Sequence, residues 1–259
     1  MTLSRSAGSS SSVRHMESSE YENLDRVERQ HWYYEGKRRI VRSWIERLRP
    51  LGADDTLLDF GAGTGCFAAE MARQCRVLAL DSYPESLAKL RLRFPAGQVL
   101  EPVVDGGIPL ADATVDCVTA LDVLEHLERD AAAVAEFRRV LRPGGLAVVT
   151  VPASMRLWSD WDVSLRHLRR YDRASLTALF GAGWTVEQAA YMNSLAFPLV
   201  WLLRRRRGAA AAPRAEDRLP PRWLNALLRW QFVAQGRCRL CRVPFGVGLL
   251  LVARKIGAK

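Results

Sequence analysis

At 259 residues the chain is long enough for one sizeable hydrophobic core and short for two full catalytic domains. With 49% apolar and 25% charged residues, 18 Gly and 12 Pro, it has the balance of a folded globular protein, which excludes a fibrous or wholly disordered one. The formal charge of +10 is concentrated: residues 201–259 hold 14 Lys and Arg against Glu216 and Asp217, while the first 200 residues are close to neutral. A basic face of this kind suits phosphate, anionic lipid or an acidic substrate, and its sign alone selects none of them. Cys66, Cys75, Cys117, Cys238 and Cys241 are too scattered for a disulfide framework, so a reducing, cytoplasmic compartment is expected.

The first 16 residues are Ser-rich and lack the apolar block of a secretory signal; a flexible tail is expected. Helical periodicity runs from Glu17 to Arg49, through His31-Trp32-Tyr33-Tyr34 and a basic Lys37-Arg38-Arg39, and Pro50 and Gly52 end it. Strand and helix then alternate: strand 56–60, helix 66–74, strand 76–81, helix 84–94, strand 99–104, strand 115–121, helix 130–141 and strand 146–151. Arg142-Pro143-Gly144-Gly145 is the stop between the last two. Continuous apolar strands alternating with helices predict an α/β fold with a doubly wound, mainly parallel sheet. Asp172 is placed to cap a helix reaching Phe180, a strand follows at 184–191, and the last strand is 247–253.

About 50 residues separate those two strands, too many for a plain loop, so a helical insertion before the last strand is expected. Its apolar run Leu195–Leu203 has nine residues and contains Pro198, too short to cross a bilayer, where about 20 are needed. The organisation is then a tail (1–16), an N-terminal helical cap (17–52), a core (53–191), the insertion (192–243) and a last core strand with its tail (244–259).

Asp59-Phe60-Gly61-Ala62-Gly63-Thr64-Gly65 lies between a predicted strand and helix, where glycines let the backbone turn and approach a ligand. The spacing is G-x-G-x-G, not the dinucleotide G-x-G-x-x-G, since position 66 is Cys. Asp81, 22 residues after Asp59, ends the next strand, where a carboxylate can accept from both ribose hydroxyls of an adenosine ligand. Four further segments accompany this loop in order: Val104-Asp105 before Ile108-Pro109-Leu110, Val115-Asp116-Cys117-Val118, Leu121-Asp122-Val123-Leu124-Glu125-His126-Leu127 and Arg139–Gly145.

Together they resemble class I S-adenosylmethionine-dependent methyltransferases, in the broad branch that includes the ubiquinone and menaquinone biosynthesis enzymes. The resemblance is tight over about 56–152. It implies a Rossmann-like, seven-stranded sheet and S-adenosyl-L-methionine as cofactor. By the same resemblance Asp59, Gly61, Gly63 and Gly65 line the methionine part, Asp81 the ribose, Ser82 and Tyr83 the adenine edge, and Asp105 with Gly106 the adenine amino group. Leu121 and Asp122 would lie beside the carboxylate and sulfonium. Asp116 is read as fixing a turn.

Methyl transfer from a sulfonium is a direct displacement that needs alignment and exclusion of water. An oxygen nucleophile also needs to lose a proton, for which His126 is the candidate base, with Asp122 one helical turn away on the same face and Glu125 beside it. Similar Glu-x-x-Glu-His runs hold a divalent ion in some ubiquinone O-methyltransferases and small-RNA 3′-end methyltransferases. A His126 that merely closes the helix start is the plainer reading, and no metal is assigned.

His31, Trp32, Tyr33, Trp158, Trp161, His167 and Tyr171 are the expected acceptor-site residues, because aromatic rings with polar tips suit a planar or lipid-like acceptor. Cys238-x-x-Cys241 is half a zinc site by spacing, with no second pair nearby. In the insertion, Trp223, Leu227 and Trp230 recur at helical spacing, so 195–235 is either a lid or a surface lying on an anionic membrane. The expected function is methyl transfer to a small or lipid-like acceptor, with O-methylation preferred. An RNA methyltransferase, or a non-catalytic cofactor-binding or interaction protein, are the alternatives. No RNA-binding module is recognisable, which argues against a nucleic-acid partner.

Overall fold

The computed structural model describes residues 27–103, 107–206, 219–238 and 243–257. Seven strands form one sheet in the order β3-β2-β1-β4-β5-β7-β6. In chain order the elements are α1 (Trp32–Leu48), β1 (Thr56–Phe60), α2 (Cys66–Met71), β2 (Arg76–Leu80), α3 (Pro84–Arg93), β3 (Val99–Leu100) and β4 (Val115–Leu121). There follow α4 (Asp130–Val140), β5 (Leu141–Pro152), α5 (Asp160–Ser164), α6 (Arg173–Leu179), β6 (Trp184–Met192), α7 (Phe197–Arg206), α8 (Arg222–Arg237) and β7 (Gly248–Lys255). The first five strands pair in parallel, and β7 runs antiparallel between β5 and β6.

Several elements differ from expectation in extent, β3 and β5 most and α2, which ends at Met71, by three residues. β3 is only two residues long, and the Arg142-Pro143-Gly144-Gly145 stop lies inside β5. Leu141 pairs with Val115 and Leu146 with Cys117, so residues 142–145 bulge out of the ladder, with Gly144 at φ 79°. Asp172 caps α6 as expected, accepting from the Ser175 amide at 2.7 Å.

The central strands are apolar throughout because both sheet faces are covered. On one face Leu58, Val118 and Val149 pack with Phe137 of α4, Leu176 of α6 and Tyr171. On the other, Leu57, Val148 and Val252 pack with Ile40, Val41 and Trp44 of α1 and with Phe232 of α8. Residues such as Ile40 and Trp44, fully buried here, each contribute on the order of 2 kcal/mol or more. α1 and α8 approach closely through glycine on each side: a Cβ on Gly36 would lie 2.6 Å from the Phe232 ring, and one on Gly236 2.3 Å from Ile40. Trp44 Nε1 donates to the Gly236 carbonyl at 2.9 Å. The buried side of the amphipathic α8 is therefore spent on α1.

Asp116 holds the opposite edge of the sheet together, accepting from the Thr56 amide at 2.9 Å, from Arg49 at 2.7 Å and from Arg142. Its role is structural, but it ties strand ends and two arginines together where a turn-fixing role was expected. The edge where β1, β4, β5 and β6 end is marked by left-handed residues: Gly61, Asp122, Ser154 and Asn193 have φ between 56° and 72°. Each re-aims the chain off a strand end, and Asp and Asn tolerate this conformation better than most residues. Among the described residues no helix is long and apolar enough to cross a membrane. The expected tail, Asp105, Gly106 and Cys241 lie outside the described residues.

Candidate active site

The glycine loop leaves β1 at Phe60 and enters α2 through Gly65, whose φ of 76° makes it the helix N-cap. Gly63, at φ 56°, has nothing within 4 Å of where a Cβ would stand, so this face of the loop is open to a ligand. Its amide donates to Asp81 Oδ2 at 2.8 Å, and the Tyr83 amide donates to Asp81 Oδ1 at 2.9 Å. Asp81 thus ties the loop to the end of β2. A carboxylate offers about four acceptor positions, so two remain for ligand hydroxyls.

Beneath the loop, Asp59 is buried and accepts from Thr119 Oγ1 at 2.7 Å. Burial pushes its carboxyl up to about 7, and the nearby Glu28 and Asp81 push in the same direction against the Thr119 bond. Glu28 reaches the loop from the segment before α1, accepting from Thr64 Oγ1 at 2.5 Å. Three carboxyl groups therefore converge where a cationic ligand group would relieve their mutual repulsion. Tyr83 is exposed at the end of β2, and Ser82 beside it is exposed as well.

The 122–126 segment adjoins the loop: a Cβ on Gly61 would meet the Val123 side chain at 2.5 Å. Asp122 and His126 do not sit one helical turn apart on a common face as expected. Asp122 is left-handed at the end of β4, and only Leu124–His126 form a short 3-10 turn. Asp122 forms an ion pair with Lys37 of α1 and accepts from Thr150 Oγ1 at 3.0 Å. Burial pushes the Asp122 carboxyl up, but the Lys37 ammonium outweighs it and holds the group below the usual carboxylate range. Lys37 also lies over the Tyr33 ring, 4.4 Å from its centroid.

Glu125 is fully buried, and neither carboxyl oxygen has a hydrogen-bond partner among the described residues. Burial, with the Asp122 charge added, raises it well above the usual carboxylate range. His126 packs edge-on against His167, ring centroids 4.7 Å apart. Burial and then the neighbouring His167 lower its pKa below the ordinary histidine value, so it is neutral at neutral pH and able to take a proton. His167 Nδ1 lies 2.9 Å from Asp162 Oδ1. Burial pushes Asp162 up, yet the His167 and Arg170 bonds and the Arg170 and Arg204 charges bring it down to about 2. An ionised carboxylate can only accept, so Nδ1 of His167 is the donor and Nε2 is its remaining nitrogen. One ligand atom each from Glu125, His126 and His167 lies within 4.8 Å of the others, close enough to share a cation.

These groups open into a cleft of about 550 Å³ between α1, the 122–126 turn, α5 and α7. Of the expected acceptor-site residues, His31, Trp32, Tyr33, Trp161 and His167 line it, and Trp158 and Tyr171 do not. Tyr171 belongs to the core, its hydroxyl donating to Asp130 at 2.7 Å and to the Leu124 carbonyl at 3.2 Å. Arg170, in the expected His167–Tyr171 stretch, also lines the cleft and donates to Asp162. Lys37 was missed, although it had a readable signal, since it shares a helical face with Ile40, Val41 and Trp44.

The model of the methyltransferase domain family matches residues 58–149. A probable S-adenosylmethionine-dependent methyltransferase of Mycolicibacterium smegmatis is 36% identical over 148 residues, 55% of this chain and 56% of that one. The malonyl-[acyl-carrier protein] O-methyltransferase of Serratia marcescens is 30% identical over 182 residues, covering 66% of this chain and 71% of the relative. The match spans only about half the length of the mycobacterial relatives, 50 to 56%. Among solved structures, the complex between the Haloferax volcanii Trm112 methyltransferase activator and a methyltransferase aligns with a TM-score of 0.60 at 18% identity, covering 92% of this chain and 96% of that one. At that identity the likeness speaks for the fold alone.

Proposed function

The chain belongs to the class I S-adenosylmethionine-dependent methyltransferases, and from that premise we propose that it methylates an oxygen of a small or lipid-like acceptor bound in the cleft beside His126. S-adenosylmethionine supplies the methyl group, already activated by the positive sulfur that carries it. The chain's own residues bind, orient and deprotonate. Asp81 has acceptor capacity left for the ribose hydroxyls, and Ser82 and Tyr83, with Asp105 and Gly106 beyond β3, would border the adenine. The Gly61, Gly63 and Gly65 backbone and the buried Asp59 would face the methionine end, whose ammonium suits a site crowded with carboxyl groups. Leu121 and Asp122 would flank the sulfur, with Asp122 held by Lys37 and Thr150.

On the acceptor side, the apolar rings of Trp32, Tyr33 and Trp161 would hold a planar or lipid-like group and exclude water. His126 would take the acceptor proton as the oxygen attacks, helped by being neutral before the step. One observation carries this reading: a neutral, half-buried His126 lines the cleft at the end of the 122–126 turn, whose Val123 abuts the glycine loop. With an apolar acceptor the protein would work in the cytoplasm as a peripheral membrane protein. Nothing in the cleft favours RNA, and the intact loop weighs against a non-catalytic binder.

The test is transfer of labelled methyl from S-adenosylmethionine to quinol, hydroxyaryl and fatty-acyl acceptors. His126→Ala should bind S-adenosylhomocysteine normally and lose about 100-fold in turnover. Full activity in that variant would end the general-base assignment.

The unpartnered Glu125 oxygens favour a second reading, in which Glu125, His126 and His167 hold a divalent ion that activates the acceptor oxygen. Loss of turnover on chelation, restored by Mg²⁺ or Mn²⁺, would select it.

A further inference from the structure

α8 has two faces of unusual character. Its buried side packs on α1 through Phe232 and Gly236, yet its outward side is also apolar. Trp223 is 70% exposed, Leu227 52% and Trp230 70%, at positions that fall on one stripe of a helix. Ala226 and Ala234 extend the stripe, and exposed Arg222 and Arg237 stand at its two ends. An outward helical face ordinarily carries charge, so two exposed tryptophans in line call for a partner.

α7 repeats the pattern. Leu195 and Leu199 are 73% and 59% exposed, and the helix runs into consecutive arginines. Neither helix contains a carboxylate. α7 lines the cleft mouth through Val200 and Leu203, and Pro220, just ahead of α8, lines it as well. The acceptor entrance therefore adjoins the helix that carries the exposed Leu199.

We propose that the outer faces of α7 and α8 form a docking surface for an anionic lipid bilayer, from which an apolar acceptor enters the cleft past Leu203. The inference rests on the lipid-like acceptor of the proposed function and adds the surface that would deliver it. Tryptophan is suited to the depth where headgroups meet acyl chains, and the exposed Arg205, Arg222 and Arg237 are attracted to a negative membrane, whereas Arg204 and Arg229 are held by Asp162 and Glu35. Arg205, Arg222 and Arg237, exposed beside these apolar stripes on helices that carry no carboxylate, give the face the charge that complements anionic headgroups. A second copy of this chain would bring an equally basic face against the first.

The experiment floats the full chain with vesicles of phosphatidylglycerol and phosphatidylcholine in equal parts, and with phosphatidylcholine alone. The expected result is flotation with the anionic vesicles at low salt, release at high salt, and about tenfold or greater weakening in Trp223→Ala/Trp230→Ala. Both tryptophans are exposed and lie off the cleft, so that variant should keep its melting temperature and its affinity for S-adenosylhomocysteine. No flotation with anionic vesicles, or equal flotation of the variant, overturns the proposal. A dimer in sedimentation that the variant dissolves, without vesicle binding, also overturns it and assigns the surface to a second copy. Failure of methyl transfer to every acceptor, with flotation intact, would sink the proposed acceptor and leave the surface standing.

Discussion

Lys37 and Asp122 are joined in an ion pair that binds the cap helix α1 to the end of β4, and the lysine is almost wholly withdrawn from solvent. Removing one partner of such a pair strands the other charge, which costs more than the pair itself is worth. Because Asp122 is 33% exposed, Lys37→Met should cost about 2 kcal/mol, not the full cost of a deeply buried charge. Lys37→Met/Asp122→Asn should recover most of that loss. Urea unfolding of the two single variants and the double one measures the coupling, and additive losses would show that the pair contributes little.

The buried Asp59 makes stability depend on pH. Its folded pKa of about 7 lies above the ordinary value of 3.8, so the folded chain holds this proton more tightly than the unfolded one. Stability should fall as pH rises from about 4 to about 7 and then level off, by about 4 kcal/mol at most. Asp59→Asn should flatten that slope. A cationic ligand group beside Asp59 would favour the ionised form, so cofactor binding near pH 6 should release protons. Calorimetry in buffers of different ionisation enthalpy reads that release directly.

Asp81 holds the Gly63 amide and, in the function proposed here, also receives the ribose hydroxyls. Asp81→Ala should therefore weaken S-adenosylhomocysteine by about 1.5 to 3 kcal/mol per lost charge-assisted bond at most. Asp81→Asn keeps one acceptor oxygen and should fall between the two. Titration calorimetry giving equal affinity for all three proteins would remove Asp81 from the cofactor site.

The glycine contact between α8 and α1 leaves no room for a side chain. In Gly236→Val the new Cβ would lie 2.3 Å from one Ile40 carbon and 2.6 Å from another, both in the core. The clash should cost about 1 to 3 kcal/mol, more than the gain in helix propensity of about 1 kcal/mol or less. Thermal melting should register the loss, and Ile40→Ala in the same chain should make the substitution cheaper.

Much of the fold was legible because its signals are local. The apolar strand runs, the Asp172 cap and the glycine loop each depend on residues close in sequence. Most of the expected residues that line the cleft were legible by type, and their geometry was less so. A helical reading of Asp122-x-x-Glu125-His126 follows from the spacing, but the left-handed Asp122 turns that side chain to α1, and no local pattern announces Lys37 as its partner. Tyr171 and Trp161 look alike as aromatic residues after β5. Only the tertiary position of Asp130 draws the Tyr171 hydroxyl into the core, while Trp161 rides on α5 into the cleft wall. The 142–145 bulge has the same origin: Pro143-Gly144 reads as a stop, yet pairing of Leu141 with Val115 keeps the strand going on both sides.

The place of β7 governs the order in which the molecule can be assembled. β7 lies between β5 and β6, and among the described residues β6 pairs with no other strand. As the ribosome makes the chain, everything up to residue 247 can emerge while β5 still presents a bare apolar edge and β6 has nowhere to dock. α8, which precedes β7, can meet α1 before the sheet is whole. A nascent chain thus keeps a bare apolar edge until β7 arrives, the stage at which edge-to-edge aggregation is the greatest hazard.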